Sequence, residues 1–208
     1  MKLLILGATG GVGREIVTQA IERGHKLTAF VRAPESLETF ASRIDIVRGD
    51  PLNCPALARV MEGHDAVISG FGARVPYSKA DANLLQRFAL ALTKAMLHAG
   101  MPRAVIVSMA FLFKDAIFPP AYLLGKLLFP DTVADGAQME DVIVKSGLDW
   151  TLVRPPRLTD GPRTGKYRVR EGHLPAFGFA ISRADVAHFM IQTAERNSLV
   201  GQIVGVCN

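Results

Sequence analysis

Cysteine is nearly absent from this chain: Cys54 and Cys207 are the only two in 208 residues. They lie far apart, with no Cys-x-x-Cys or Cys/His spacing, which excludes a disulfide framework or a zinc site and predicts reduced thiols in a cytoplasmic protein. The five histidines, His25, His64, His98, His173 and His188, are equally dispersed, so no metal is expected. Long hydrophobic runs are missing too. No stretch of about eighteen apolar residues escapes a charge or a proline, and Met1 leads straight into a short apolar run, so neither a membrane span nor a secretory signal is expected. The formal charge is +5, yet the cations form no cluster and aromatics make up only 7%. That pattern argues against nucleic acid and suits the attraction of small anionic ligands. With 49% hydrophobic and 21% charged residues, no repeat and no linker, residues 1–208 read as one domain with a sizeable core.

What is present begins at the first residues. The apolar run Lys2-Leu3-Leu4-Ile5-Leu6 feeds into Gly7-Ala8-Thr9-Gly10-Gly11-Val12-Gly13-Arg14, after which Ile16, Val17, Ala20 and Ile21 recur at helical spacing. A buried strand, a glycine turn and a helix in this order make a phosphate-binding element. Gly7 can adopt a backbone conformation closed to other residues, Gly10 lets the chain approach a ligand, and Gly13 lets the helix pack closely on the strand. The N–H groups at the helix start, with Thr9, Gly11 and Val12 around them, suit a pyrophosphate. A second strand over 26–31 completes the βαβ unit that a dinucleotide site requires.

That second strand ends in Val31-Arg32, with no carboxylate to hold a ribose 2′-hydroxyl. Arg32 can donate two parallel hydrogen bonds to a 2′-phosphate, and Arg14 can add charge from the other side, so NADP(H) is the expected cofactor.

The rest of the chain alternates. Helices are predicted over 34–40, 54–61, 81–99 and 131–145, and strands over 45–48, 66–69, 104–108 and 150–154. Parallel strands need such crossovers, so the fold class is α/β, a doubly wound parallel sheet of Rossmann-like type. A small irregular C-terminal cap over 155–208 completes it on the substrate side. Ligands of such sheets sit at the carboxyl ends of the strands. There stand Asp50, able to accept from an adenine amino group or to cap a helix; Phe71, Gly72 and Ala73, a small-residue platform for the nucleotide; and Ser108 and Met109, within reach of a nicotinamide. Pro155-Pro156 is a rigid turn that can support the carboxamide end and aim Arg157 at a substrate. Ser182 with Asp185 reads as a helix cap, Trp150 as a packed strand aromatic, and Arg154 as the partner of an acid in the cap.

Taken together, Gly7 through Gly13, Val31-Arg32, Gly49-Asp50, residues 108–112, Ser146-Gly147-Leu148, Arg154-Pro155-Pro156 and residues 181–187 resemble the landmarks of a known family. This is the atypical short-chain dehydrogenase/reductases, and within them the NmrA-like and biliverdin-IXβ/flavin reductase group. The resemblance spans the chain and implies an NADPH-dependent reductase acting on flat, anionic aromatic molecules such as flavins and linear tetrapyrroles. At positions where that reductase carries a serine and a histidine near its substrate, this chain carries Met109 and Arg157.

Many short-chain dehydrogenases set Tyr and Lys four residues apart on one helix face, with a Ser on the preceding strand. Tyr122 and Lys126 have that spacing, and Ser108 precedes them. Their segment, however, is bracketed by Pro119-Pro120 and Pro130, and the helix over 131–145 stands where the dyad belongs. The apolar residues 117–130 therefore read as a flap, and the longer stretch 111–130 also offers a surface for self-association. Three functions follow from the sequence: a reductase of a planar or anionic small-molecule acceptor, with Ser108 and Arg157 at the substrate; a dinucleotide-binding redox sensor with little turnover; and a dehydrogenase or epimerase using Tyr122.

Overall fold

The structure, a computed structural model, describes residues 1–72, 83–114 and 121–208. Its frame is a sheet in the order β3-β2-β1-β4-β5-β6-β10-β8 among the described residues. The strands are β1 (Lys2–Leu6), β2 (Lys26–Val31), β3 (Asp45–Arg48), β4 (Ala66–Ser69), β5 (Arg103–Val107), β6 (Asp149–Arg154), β8 (Arg168–Glu171) and β10 (Gln202–Cys207). All neighbours run parallel except β8, which pairs antiparallel with β10. Two short strands, β7 (Arg157–Thr159) and β9 (Ala180–Ser182), pair apart from this sheet.

The run Leu3-Leu4-Ile5-Leu6 is apolar throughout because both faces of β1 are covered. Leu3 and Ile5 face a core shared with α1 (Gly11–Glu22) and α6 (Arg183–Glu195). Leu4 and Leu6 face the opposite core, built with α2 (Cys54–Met61), α3 (Leu84–Ala99) and α5 (Pro130–Val144). The sequence and the structure agree on this doubly wound plan to within a residue or two at most boundaries. The short helix over 34–40 is a 3-10 helix, and residues 81 and 82 of the helix expected over 81–99 lie outside the described residues.

The C-terminal part does more than cap. Its last strand, β10, enters the main sheet beside β6, and α6 packs against α1 beneath the glycine turn. The cap proper is the β7/β9 pair and the loop between β7 and β8, anchored by Asp185. This carboxylate is fully buried and accepts from the N–H groups of Thr164 and Gly165, each at 2.8 Å, and from the Thr164 hydroxyl at 2.8 Å. Ser182 Oγ in turn accepts the Asp185 N–H at 3.0 Å, which is the helix cap expected from the sequence.

Burial pushes the Asp185 carboxyl up, but the hydrogen bonds from Gly165 and Thr164 outweigh it and leave the group below its ordinary value. A carboxyl depressed in the folded state contributes stability above its unfolded pKa and loses it as pH falls through the folded value. Asp185→Asn should therefore destabilise the protein by about 2–3 kcal/mol at neutral pH, because hydrogen bonds to a charged acceptor are the stronger kind. The gap should close as pH falls below the unfolded carboxyl value of about 3.9. Urea denaturation of both proteins across the acid range checks it; a gap independent of pH would show that the carboxylate's charge contributes nothing.

Candidate dinucleotide site

The site grows from the β1–α1 turn. Gly7 has φ of +71°, and a Cβ there would come within 2.5 Å of the Phe71 nitrogen on the neighbouring strand end. A Cβ on Gly13 would meet the Gly7 carbonyl oxygen at 2.0 Å. Only glycine lets strand, turn and helix approach this closely. Gly10 caps α1 without a side chain, and no acid stands in the first turn. The positive end of a twelve-residue helix is thus left open toward the cleft.

From this turn a cleft of about 560 Å³ runs along the carboxyl ends of the central strands, a size in the ordinary range for cofactor pockets. Thr9, Gly10, Gly11 and Val12 form its middle. One end lies at β2, walled by Phe30, Val31, Arg32 and Ala33 with Pro51 across from them. The Phe30 ring fits there because residue 49 is glycine, where a Cβ would come within 2.2 Å of it. Phe71 and Gly72 line the floor at β4, the Phe71 ring stacked on Phe88 with centroids 4.3 Å apart. The far end is bounded by Val107, Ser108 and Met109 after β5, by Leu158 of β7, and by Phe111, Phe129 and Thr132. Phe111 and Phe129 stack at 5.9 Å, giving this end an apolar wall.

The sequence-predicted residues divide accordingly. Gly7, Thr9, Gly10, Gly11, Val12, Arg32, Phe71, Gly72, Ser108 and Met109 all line the cleft. Gly13 is buried beneath the turn. Arg14 stands beside the β2 end, its guanidinium donating to the Ser36 carbonyl at 2.6 Å. Asp50 neither lines the cleft nor caps a helix: it accepts the Leu52 N–H at 3.0 Å, while Pro51 takes the lining position and Asn53 caps α2 by accepting the Ala56 N–H at 3.1 Å. Pro155 is buried, and its carbonyl accepts the Ala110 N–H at 3.0 Å, which holds the turn after β5 but does not face the cleft. Ala73 lies outside the described residues.

The structure does not bring Arg157 to the cleft. It is exposed on β7, and it is the next residue, Leu158, that faces inward. Tyr122 is not among the cleft residues either. It sits on α4 (Ala121–Leu128) with the Lys126 ammonium 5.6 Å from its ring centroid. Of the flap, residues 115–120 lie outside the described residues, and α4 turns Leu123, Leu124, Leu127 and Leu128 to the exterior. Helix α5 occupies the place of a Tyr–Lys dyad but presents Thr132 to the cleft. One turn further on stands Gly136, where the Met109 methyl lies 2.9 Å from the position of a Cβ. Sequence reasoning missed Phe129, Thr132 and Arg183 as lining residues. The order of elements was a usable signal for the first two, since they open the helix that crosses toward β6.

Behind Ser108 lies a buried charge network. Its hydroxyl donates to Glu140 Oε1 at 2.5 Å, and Arg154 holds the same carboxylate with Nε at 2.9 Å and Nη2 on Oε2. Arg154 also lies 4.6 Å from the Phe113 ring centroid. The acid that pairs with Arg154 is thus in α5 and not in the cap. Because the Ser108 proton is given to a carboxylate, the hydroxyl offers the cleft acceptor lone pairs only.

The chain matches the NAD(P)H-binding family over residues 7–197 and belongs to it. It is 32% identical over 200 residues to an uncharacterized chloroplastic protein of Arabidopsis thaliana, covering 92% of this chain and 71% of that one. Among solved structures it superposes on ChuY, an anaerobilin reductase of Escherichia coli O157:H7, with a TM-score of 0.83. That match has 22% identity and covers 100% of this chain and 97% of the other. A short-chain dehydrogenase/reductase of Veillonella parvula in complex with NADP gives a TM-score of 0.81 at 18% identity, covering 100% and 94%. The fold is the Rossmann-like one that these structures share, and the cofactor is NAD(P)H. Among the described residues no helix is long and apolar enough to cross a membrane, and no cluster of ligands could hold a metal.

Two outcomes follow from this geometry. Arg32→Ala should weaken NADPH binding about tenfold or more, since a charge-assisted pair is worth about 1.5–3 kcal/mol, and should leave NADH almost unchanged. Fluorescence titration with both cofactors tests it; equal losses would show that Arg32 does not read the 2′-phosphate. Glu140→Ala leaves the Arg154 guanidinium buried without its carboxylate and should cost about 3–5 kcal/mol in denaturant unfolding. A loss under about 1 kcal/mol would mean that the pair behaves as an exposed one.

Proposed function

We propose that this protein is an NADPH-dependent reductase that passes hydride to a planar acceptor lying over the nicotinamide at the Phe111–Phe129 end of the cleft. The observation that carries the reading is the composition of that end. It is walled by two stacked phenyl rings, Met109 and Leu158, with hydroxyls from Ser108 and Thr132. Flat apolar walls suit an aromatic acceptor such as a flavin or a linear tetrapyrrole better than a small polar carbonyl compound. NADPH is favoured over NADH by Arg32 at the β2 end, with Arg14 beside it.

When bound, the nicotinamide supplies the hydride. The chain supplies the rest. The glycine turn and helix α1 hold the pyrophosphate, Phe71 backs the central part of the cofactor, and the Phe111 and Phe129 rings set the acceptor plane and exclude water. Orientation of two flat rings in contact accounts for a large share of catalysis, because it replaces a bimolecular encounter by a fixed one. No carboxyl, imidazole, phenol, thiol or ammonium side chain lines the described cleft, so the proton that follows the hydride comes from solvent. Ser108 holds the carboxamide or an N–H of the acceptor by accepting a hydrogen bond, with Glu140 and Arg154 fixing its direction.

Arg157, exposed on β7, supplies no cation to an anionic acceptor in this reading, so the acceptor is selected by the flat apolar walls of this end. Following NADPH oxidation against flavins, biliverdins, quinones and small carbonyl compounds tests the function. Turnover confined to the planar acceptors is expected. Tight NADPH binding with no turnover on any of them would favour a redox sensor, and turnover confined to small carbonyls would favour a dehydrogenase. Tyr122→Phe should leave the hydride-transfer rate within about tenfold, because general acid catalysis is typically worth 10²–10⁴-fold and this phenol stands outside the cleft. A thousandfold loss at unchanged cofactor affinity would restore the Tyr-dependent mechanism.

A further inference from the structure

Two cations line the cleft among the described residues: Arg32 at the β2 end and Arg183 over the glycine turn. Arg183 arrives from the opposite end of the chain, as the first residue of α6. Its base is rigid. Ser182 before it caps the helix and donates to the Pro162 carbonyl at 3.2 Å, and the β7/β9 pairing sets Thr159 opposite Ser182. That register brings the next residue of each strand, Asp160 and Arg183, together, with Nη1 donating to Oδ1 at 2.5 Å.

The stem of Arg183 crosses the start of α1. A Cβ on Gly11 would lie 2.5 Å from its Cδ and 2.7 Å from its Nε, so Gly11 must lack a side chain for the arginine to lie there. Gly11 opens the helix whose first turn carries no acid and no capping side chain. The guanidinium therefore stands beside the N–H groups that face the cofactor's phosphates, and only one of its five donors is committed to Asp160. The Arg183 side chain is 30% exposed and the Asp160 side chain 91%. An ion pair this open is worth little, and a pyrophosphate already held by a helix terminus is the stronger partner.

We propose that Arg183 is a clamp on the pyrophosphate of the dinucleotide, parked on Asp160 in the free protein and transferred to phosphate oxygens when the cofactor enters. The β7/β9 clip then fastens the C-terminal part of the chain over the glycine turn. The clamp reads a charge that NADH and NADPH share, so it acts on both alike, in contrast to Arg32. It depends on dinucleotide binding alone and is independent of which acceptor is reduced.

The test is binding of NADPH and NADH to the wild-type protein, Arg183→Met, Arg183→Lys and Asp160→Asn, with thermal unfolding of each in the presence and absence of cofactor. Arg183→Met keeps the stem over Gly11 and removes the charge. It should weaken both cofactors by about tenfold, a usual size for a charge-assisted contact. Arg183→Lys should recover part of the loss, and Asp160→Asn should tighten both cofactors a few-fold by removing the competing carboxylate. The midpoints without cofactor should stay close to wild type while the cofactor-induced rise shrinks in Arg183→Met. Unchanged affinities in Arg183→Met, or a loss confined to NADPH, would overturn the clamp. Weaker binding in Asp160→Asn would overturn the parking role, because Asp160 would then be orienting the arginine in the bound state. Should Arg183→Met fail to fold, Asp160→Asn together with Arg183→Lys carries the same decision.

Discussion

Everything in this molecule is arranged around the contact of three backbone segments that have no side chains between them. The end of β1 at Gly7, the start of α1 at Gly13 and the end of β4 at Gly70 interlock. A Cβ on Gly13 would lie 2.0 Å from the Gly7 oxygen, one on Gly7 would lie 2.7 Å from the Gly70 carbonyl carbon, and one on Gly70 would lie 3.1 Å from the Gly13 nitrogen. This contact fixes how close the helix terminus comes to the point where the strand order reverses, with β2 on one side of β1 and β4 on the other. A crevice opens at that reversal in any doubly wound sheet. Here the interlock sets the crevice's depth and aims an uncapped helix terminus into it.

The polar interior serves the same geometry from further away. Arg103, buried at the start of β5, donates to the carbonyls of Asp149 and Ser198 and to the Thr151 hydroxyl, stitching β5 to β6 and to the turn before β10. Asp135 of α5 accepts the N–H groups of Leu85 and Gln86 at the start of α3, so one helix supplies the cap of another. Glu140 of α5 binds Arg154 at the end of β6 and Ser108 after β5. Helix α5 is thereby fixed at two points along its length, and the residues it turns to the cleft, Phe129 and Thr132 at its start, inherit that rigidity. Buried charges hold only with such partners, since an unpaired one costs several kcal/mol.

Much of this was legible in the sequence, and the limit is physical. The strands were readable because each is a short apolar run ended by a turn residue, and the glycine turn because no other residue type satisfies its contacts. Local patterns of that kind report local structure. Trp150 and the Ser182–Asp185 cap were readable for the same reason. Arg183 was not, because its place over Gly11 depends on the pairing of β7 with β9, two strands of three residues each whose pattern is too short to see. Arg157 shows the converse failure. The strand-end rule took it as the end of the strand that closes at Arg154, but Arg157 opens β7, and the period of two along a strand puts Leu158 inward and Arg157 outward. Glu140 was not legible either, since nothing in a helix pattern says which distant arginine will find it.

What α5 presents beside the cleft, Thr132 and one turn on Gly136, has a chemical consequence beyond the lack of an acid. No charged side chain of α5 lines this end, and the Met109 thioether fills the space that Gly136 leaves. The far end of the cleft is therefore less charged, and the cations stand at the glycine turn and at the β2 end, where Arg183 and Arg32 are. On the proposed reading, binding energy for the dinucleotide is thus concentrated away from the reacting ring. Interactions remote from the chemistry position a ligand without stabilising charge in the transition state, so they favour tight cofactor binding and leave turnover to the match between ring and acceptor. On the proposed reading this is the right division for hydride transfer between two conjugated rings, because an acceptor that delocalises the incoming electron pair needs less help from an acid than a simple carbonyl does.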